Sequence, residues 1–254
     1  MVVCVSRRAR RAFMLVVLIA VASAACRATF ARKYEYDEDV FVALDGSATV
    51  YLNASVAALV ALRGVDLDVD PRARLDRNRV QALFESPVTR VTSVTTSRRQ
   101  GRRYVHIRME LDDIRKLSEV APFAWSRYTL GQENDVFVYK QTIGPAAARD
   151  VGNVGWNGDE LVAFRLHLPS RVPFHNSPTR EIERGNIIVW EQPLAVRMKS
   201  EPIAIEVHME TASILVRTLT LFAITIVLAG ATFAAAIWWV MRRGKKTSQL
   251  PVSS

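Results

Sequence analysis

The chain has 254 residues, half of them hydrophobic, with 34 basic against 25 acidic side chains and a net charge of +9. Such an excess first suggests nucleic acid, but four of the basic residues precede Ala12 and five follow Val216, leaving 25 against 25 in Arg27 to Val216. The positive excess is confined to the ends, so no nucleic-acid partner is implied, and the two cysteines, Cys4 and Cys26, exclude a secreted domain held by internal disulfides.

The first element is an apolar run, Ala12 to Ala22, preceded by Arg7, Arg8, Arg10 and Arg11 and followed by Ser23-Ala24-Ala25. It is too short for the roughly 20 residues of a spanning helix. Basic start, short apolar middle and small-residue end read as an export signal over residues 1–25. Cys26 stands directly after it, where a bacterial lipoprotein carries its lipid-modified cysteine. Ser23 lies where such signals usually have a large aliphatic residue, so Cys26 is either lipidated or an ordinary free thiol.

An exported domain follows, residues 26–212. Ser47 to Ala54 alternates apolar and polar side chains, and Asp45-Gly46 before it predicts a hairpin with Val40 to Leu44. A helix is expected over Ser55 to Leu62, ended by Gly64, and a second one capped by Asp70-Pro71 and carrying Leu75, Val80, Leu83 and Phe84. Next comes a long hairpin, Val88 to Ser97 and Arg103 to Leu111, with its tip at Arg98 to Arg102. The arginines there read as a solvated tip, with anionic lipid or polysaccharide contact as the alternative. A short helix from Asp112 leads to a hairpin of Trp125 to Leu130 and Val136 to Thr142. Late strands are Leu161 to Leu168, Asn186 to Trp190 and Ile203 to Met209. Antiparallel hairpins with early helices make the fold class α+β, a mainly antiparallel sheet domain with two or three short helices.

Gly144 to Asp159 is the one long irregular stretch, and long loops in compact domains are often functional. Trp156 within it is either an aromatic lid or a plug on the sheet. Trp156, Trp125 and Trp190 are the candidate binding residues. Trp156 is the expected anchor for an apolar ligand, while Trp125 and Trp190, both on strands, read more as core plugs. The sequence has no nucleophile elbow and no His-Glu-x-x-His pattern. His106, His167 and His208 fall on the polar faces of their strands. They would approach a zinc site only if those strands were neighbours. Neither a catalytic residue nor a cofactor is implied.

The segments Leu168-Pro169-Ser170-Arg171-Val172, His175-Asn176-Ser177 and Gly185-Asn186-Ile187-Ile188-Val189-Trp190 resemble the corresponding stretch of LppM-type domains. These are bacterial envelope proteins with an export or lipoprotein signal, a mainly β exported domain and a C-terminal span. Ser170 and Ser177 stand where that family has glycines. The resemblance implies at most an envelope role, one compatible with lipid or glycolipid binding.

The last apolar run, Leu219 to Met241, ends in Trp238 and Trp239 and is followed by Arg242, Arg243, Lys245 and Lys246. It has the length and flanks of a transmembrane helix, expected over residues 213–241, with a short cytoplasmic tail, 242–254. Gly230, Ala231, Ala234 and Ala235 give two small-xxx-small pairs that suit packing on another helix. The expected protein is a single-pass, non-enzymatic binding module of the bacterial envelope. Its partners would be membrane lipid and either an envelope lipid ligand or a membrane-protein partner. The alternative is an assembly subunit acting through its span, and a metal-dependent hydrolase is the remotest reading.

Overall fold

The computed structural model describes residues 33–199 and 201–247; Cys26 and the export signal lie outside them. Strand β1 (Tyr34–Val42) turns through Asp45-Gly46 into β2 (Ala48–Ser55). Gly46 supplies the positive φ of 93° that the turn needs, and Asp45 Oδ1 accepts the Ser47 N–H at 2.9 Å. Helix α1 (Val56–Arg63) follows without a linker, because Ser55 caps it by accepting the Ala58 N–H at 3.0 Å. Gly64 ends it in the left-handed conformation, as expected. Val56 to Leu62 are all buried. A helix apolar on every side has to be covered on every side, and the loop after residue 143 supplies one cover, with Ala147 N–H on the Leu62 carbonyl at 3.0 Å.

The second helix differs from expectation. Helix α2 spans Arg77–Phe84 with Asp76 as its cap, whereas Asp70-Pro71 forms only a turn, Asp70 O accepting the Ala73 N–H at 3.1 Å. Both aspartates can cap; the difference is that Val80 and Phe84, at i and i+4, form the one buried stripe, and a helix begun at Pro71 adds no apolar face. Leu75 therefore precedes the cap. The next hairpin is β3 (Arg90–Arg99) and β4 (Arg102–Leu111), and its turn is only Gln100-Gly101, both at positive φ. The arginines are thus strand residues rather than a tip, and Arg102 and Arg103 are only 8% and 6% exposed.

A short 3₁₀ turn, Ile114–Glu119, capped by Asp113, leads to β5 (Ser126–Glu133) and β6 (Val136–Ile143). After the long loop come β7 (Leu161–His167), the two-residue β8 (Phe174–His175), β9 (Ile187–Pro193), the one-turn α3 (Leu194–Arg197) and β10 (Ile203–Glu210). Strand β8 and helix α3 have no signal in the sequence pattern. One sheet has the order β3-β4-β2-β1-β7-β9, the other β5-β6-β10-β8, and β1 with β7 is the parallel pair in an otherwise antiparallel set. The fold class is α+β as expected. The core includes inward residues of both sheets, such as Tyr36, Leu52, Ile107 and Phe164 from the first and Tyr139, Ile143, Ile205 and Val207 from the second.

Helix α4 (Ile214–Thr247) closes the described chain. Its segment Ile214–Arg242 is long and apolar enough to cross a membrane, and none of its most apolar window is buried against the domain.

Candidate functional site

The parallel pairing of β1 and β7 gives the six-stranded sheet two distinct ends. Val42, His167, the start of β2 and the end of β4 lie at one, since Val42 pairs with Ala48 and Ala48 with Leu111. Tyr34, Leu161, Arg99 and Arg102 lie at the other, about 30 Å away along the nine residues of β1.

At the second end, polar side chains tie the long loop to the sheet. Glu35 is fully buried and accepts from Tyr104 Oη at 2.5 Å, from Arg102 Nη2 at 2.9 Å and from Trp156 Nε1 at 3.2 Å. Arg102 Nη1 also donates to the Gly155 carbonyl at 2.8 Å. Glu160 accepts the Asn157 and Gly158 N–H groups at 3.0 and 2.8 Å. Burial works to raise the Glu160 carboxyl, but those backbone donors and Arg102 outweigh it and hold it below its ordinary range. Trp156 is half-buried, with its ring against the core.

Between the sheets lies a second polar set. Glu38 and Arg63 form an ion pair with both side chains 1% exposed, and Tyr36 Oη donates to Glu38 at 2.7 Å. Gln141 Nε2 reaches the other Glu38 oxygen at 3.2 Å, which joins β1 to β6. The Arg63 guanidinium stacks over Tyr36, Phe123 and Trp125, closest to Trp125 at 3.8 Å from the ring centre. Arg197 lies 5.0 Å from the same ring and donates to the Gly144 and Glu201 carbonyls. Burial pushes the Glu38 carboxyl up, while contact with a guanidinium favours its charged form. This set works as a clamp that joins both sheets, α1 and α3.

At the first end of the sheet an open groove of about 730 Å³ is bounded by Phe41, Glu85, Val88, Arg90, Asp112 and Pro169. The Pro169 carbonyl accepts the Ile214 N–H, the first of α4, at 2.9 Å, so the groove adjoins the root of the apolar helix.

The three tryptophans serve different parts of the fold. Trp156 bonds Glu35, Trp125 meets Tyr36 edge-on at 6.5 Å beneath Arg63, and Trp190 is opposite Phe164 on the β7–β9 ladder. The histidines are not neighbours. His106 is on β4, His167 on β7 with β2 and β1 between them, and His208 on the other sheet beside Glu206. No three His, Cys, Asp or Glu side chains gather as metal ligands among the described residues. The buried charges escape a reading of the sequence, although one signal exists: Glu38 continues the inward alternation of Val40 and Val42 and is the only acid on that face.

No protein-family model matches the chain, and no curated protein sequence matches it. Among solved structures, the folded domain of LppM from Mycobacterium tuberculosis, determined by NMR, aligns with a TM-score of 0.38 and 14% identity, covering 72% of this chain and 94% of that one. The functional reading therefore rests on this chain's own residues.

Proposed function

We propose that the chain is a single-pass, membrane-tethered binding module of the bacterial envelope, with its α+β domain outside the cytoplasm and no catalytic role. One observation carries the reading. The folded domain passes through only Thr211, Ala212 and Ser213 into a helix of 29 apolar-rich residues whose most apolar window has no cover from the domain. An unburied surface of that size needs a bilayer around it. The ligand class is an envelope lipid or glycolipid, with Trp156, at the end of the sheet far from the helix, as its proposed aromatic anchor.

Membrane fractionation tests the tether. The full chain should stay with the membrane pellet through alkaline carbonate extraction, whereas a chain stopped after Glu210 should be released soluble and folded. Release of the full chain by carbonate would end the reading.

A further inference from the structure

The groove at the root of α4 has a composition that tethering alone does not require. Its floor and rim include Phe41, 41% exposed, with Pro87 and Val88. Its charged residues are Glu85, Glu110, Asp112 and Arg90. Arg90 donates to Glu110 at 2.7 Å, and Glu85 accepts the Val91 N–H at 3.1 Å. Asp112 is exposed and makes no ion pair among the described residues. Arg108 also reaches Glu110, at 3.2 Å, so Glu110 is shared by two arginines. Glu85 and Asp112 are the groove carboxylates without an ion pair among the described residues; they favour a cation, while Arg90 is a fixed cation beside them.

Its height relative to the bilayer comes from the helix. Ile214–Arg242 is 29 residues, about 43 Å at 1.5 Å per residue, which matches the roughly 40–45 Å of a bilayer with its headgroups. Ile214 then sits at the outer edge of the headgroup layer, and Pro169, bonded to its N–H, sits beside it. A ligand drawn from that layer would need a cationic end for Glu85 and Asp112, an anionic group for Arg90 and an apolar body for Phe41 and Val88. We propose that the groove takes the phosphoethanolamine headgroup of a phospholipid in the leaflet that α4 enters, its ammonium toward Glu85 and Asp112 and its phosphate toward Arg90. A primary ammonium donates three hydrogen bonds. A quaternary choline donates none, and a glycerol headgroup brings no positive charge.

The inference rests on the membrane-tethered reading but not on Trp156, and the two can fail separately. The full chain is reconstituted into nanodiscs of equal parts phosphatidylethanolamine, phosphatidylcholine and phosphatidylglycerol, then solubilised gently, and its retained lipids are counted by mass spectrometry. Phosphatidylethanolamine should exceed phosphatidylcholine about five-fold, the size expected of two exposed ion pairs. Asp112→Asn should reduce that ratio and Asp112→Asn with Glu85→Gln should bring it to one, with thermal unfolding unchanged. Equal retention of all three lipids by the wild type, a preference for phosphatidylglycerol, or a preference that survives the double substitution would overturn the proposal. Should a variant unfold, the wild-type ratio decides alone. Failure to enter the nanodisc at all would instead sink the tether.

Discussion

Trp156 and Trp190 carry the same side chain into opposite surroundings. Trp190 is 4% exposed on β9, whereas Trp156 is half-buried at the surface end of the loop with its N–H on Glu35. Trp190→Ala should cost ~3–5 kcal/mol in chemical denaturation, as truncation of a packed aromatic does. Trp156→Ala should leave the domain folded and reduce the lipid that co-purifies with the detergent-solubilised chain. If it instead destabilises as much as Trp190→Ala, the ring is a plug and its proposed contact with a ligand is lost. The Glu38–Arg63 pair makes a sharper stability prediction. Arg63→Met strands a carboxylate among Tyr36, Tyr128 and Gln141 and should cost ~3–5 kcal/mol. Adding Glu38→Met removes the stranded charge, so the double variant should be more stable than Arg63→Met alone. An additive double variant would mean that the two side chains are not coupled.

The Gly144 to Asp159 loop is held at two places, by Ala147 and Arg149 N–H groups on α1 and by the Glu35, Arg102 and Glu160 set on the sheet. Glu160 is held below its ordinary range in the folded state, so its contribution is present above the unfolded carboxyl value and is lost as pH falls through the folded one. Glu160→Gln should accordingly lower the denaturation midpoint at neutral pH, and the difference from wild type should close as pH falls through the folded Glu160 value, below which both forms are uncharged. A difference that persists in acid would assign the effect to shape rather than charge. Much of the secondary structure is legible in the sequence because its signals are local. Asp45-Gly46 sets one hairpin, Ser55 and Gly64 bound α1, and strict alternation marks β4, β7 and β10. The start of α2 is not legible, because Asp70 and Asp76 offer the same capping chemistry and only burial of Val80 and Phe84 chooses between them. The polar clamps are illegible for a different reason. Glu35 meets Tyr104 across 69 residues, on β4 beyond β2, and Trp156 across 121, in the loop before β7, and no periodicity reports contacts made between elements so far apart in sequence.

At the scale of the whole molecule, charge and hydropathy divide the labour between two parts. From Arg27 to Val216 the basic and acidic residues balance, which suits a domain whose charges are spent on internal pairs such as Glu38–Arg63 and Glu35–Arg102. From Arg217 onward the chain holds five cations and no acid, four of them within Arg242 to Lys246. Basic residues flanking a span stay on the cytoplasmic side, and Arg217, the one cation at the other end, is paired with Glu210 at 3.0 Å. The imbalance predicts that α4 enters the bilayer from outside and delivers Arg242 and the rest of the basic tail to the cytoplasm. A reporter enzyme active only outside the cytoplasm should be silent when fused after Ser254 and active when it replaces α4 after Glu210. Replacing Arg242, Arg243, Lys245 and Lys246 by Asn should weaken that bias, seen as a mixed population by protease accessibility. Activity of the fusion after Ser254 would invert the molecule, place the α+β domain in the cytoplasm and remove both the envelope role and the outer-leaflet source of any headgroup in the groove.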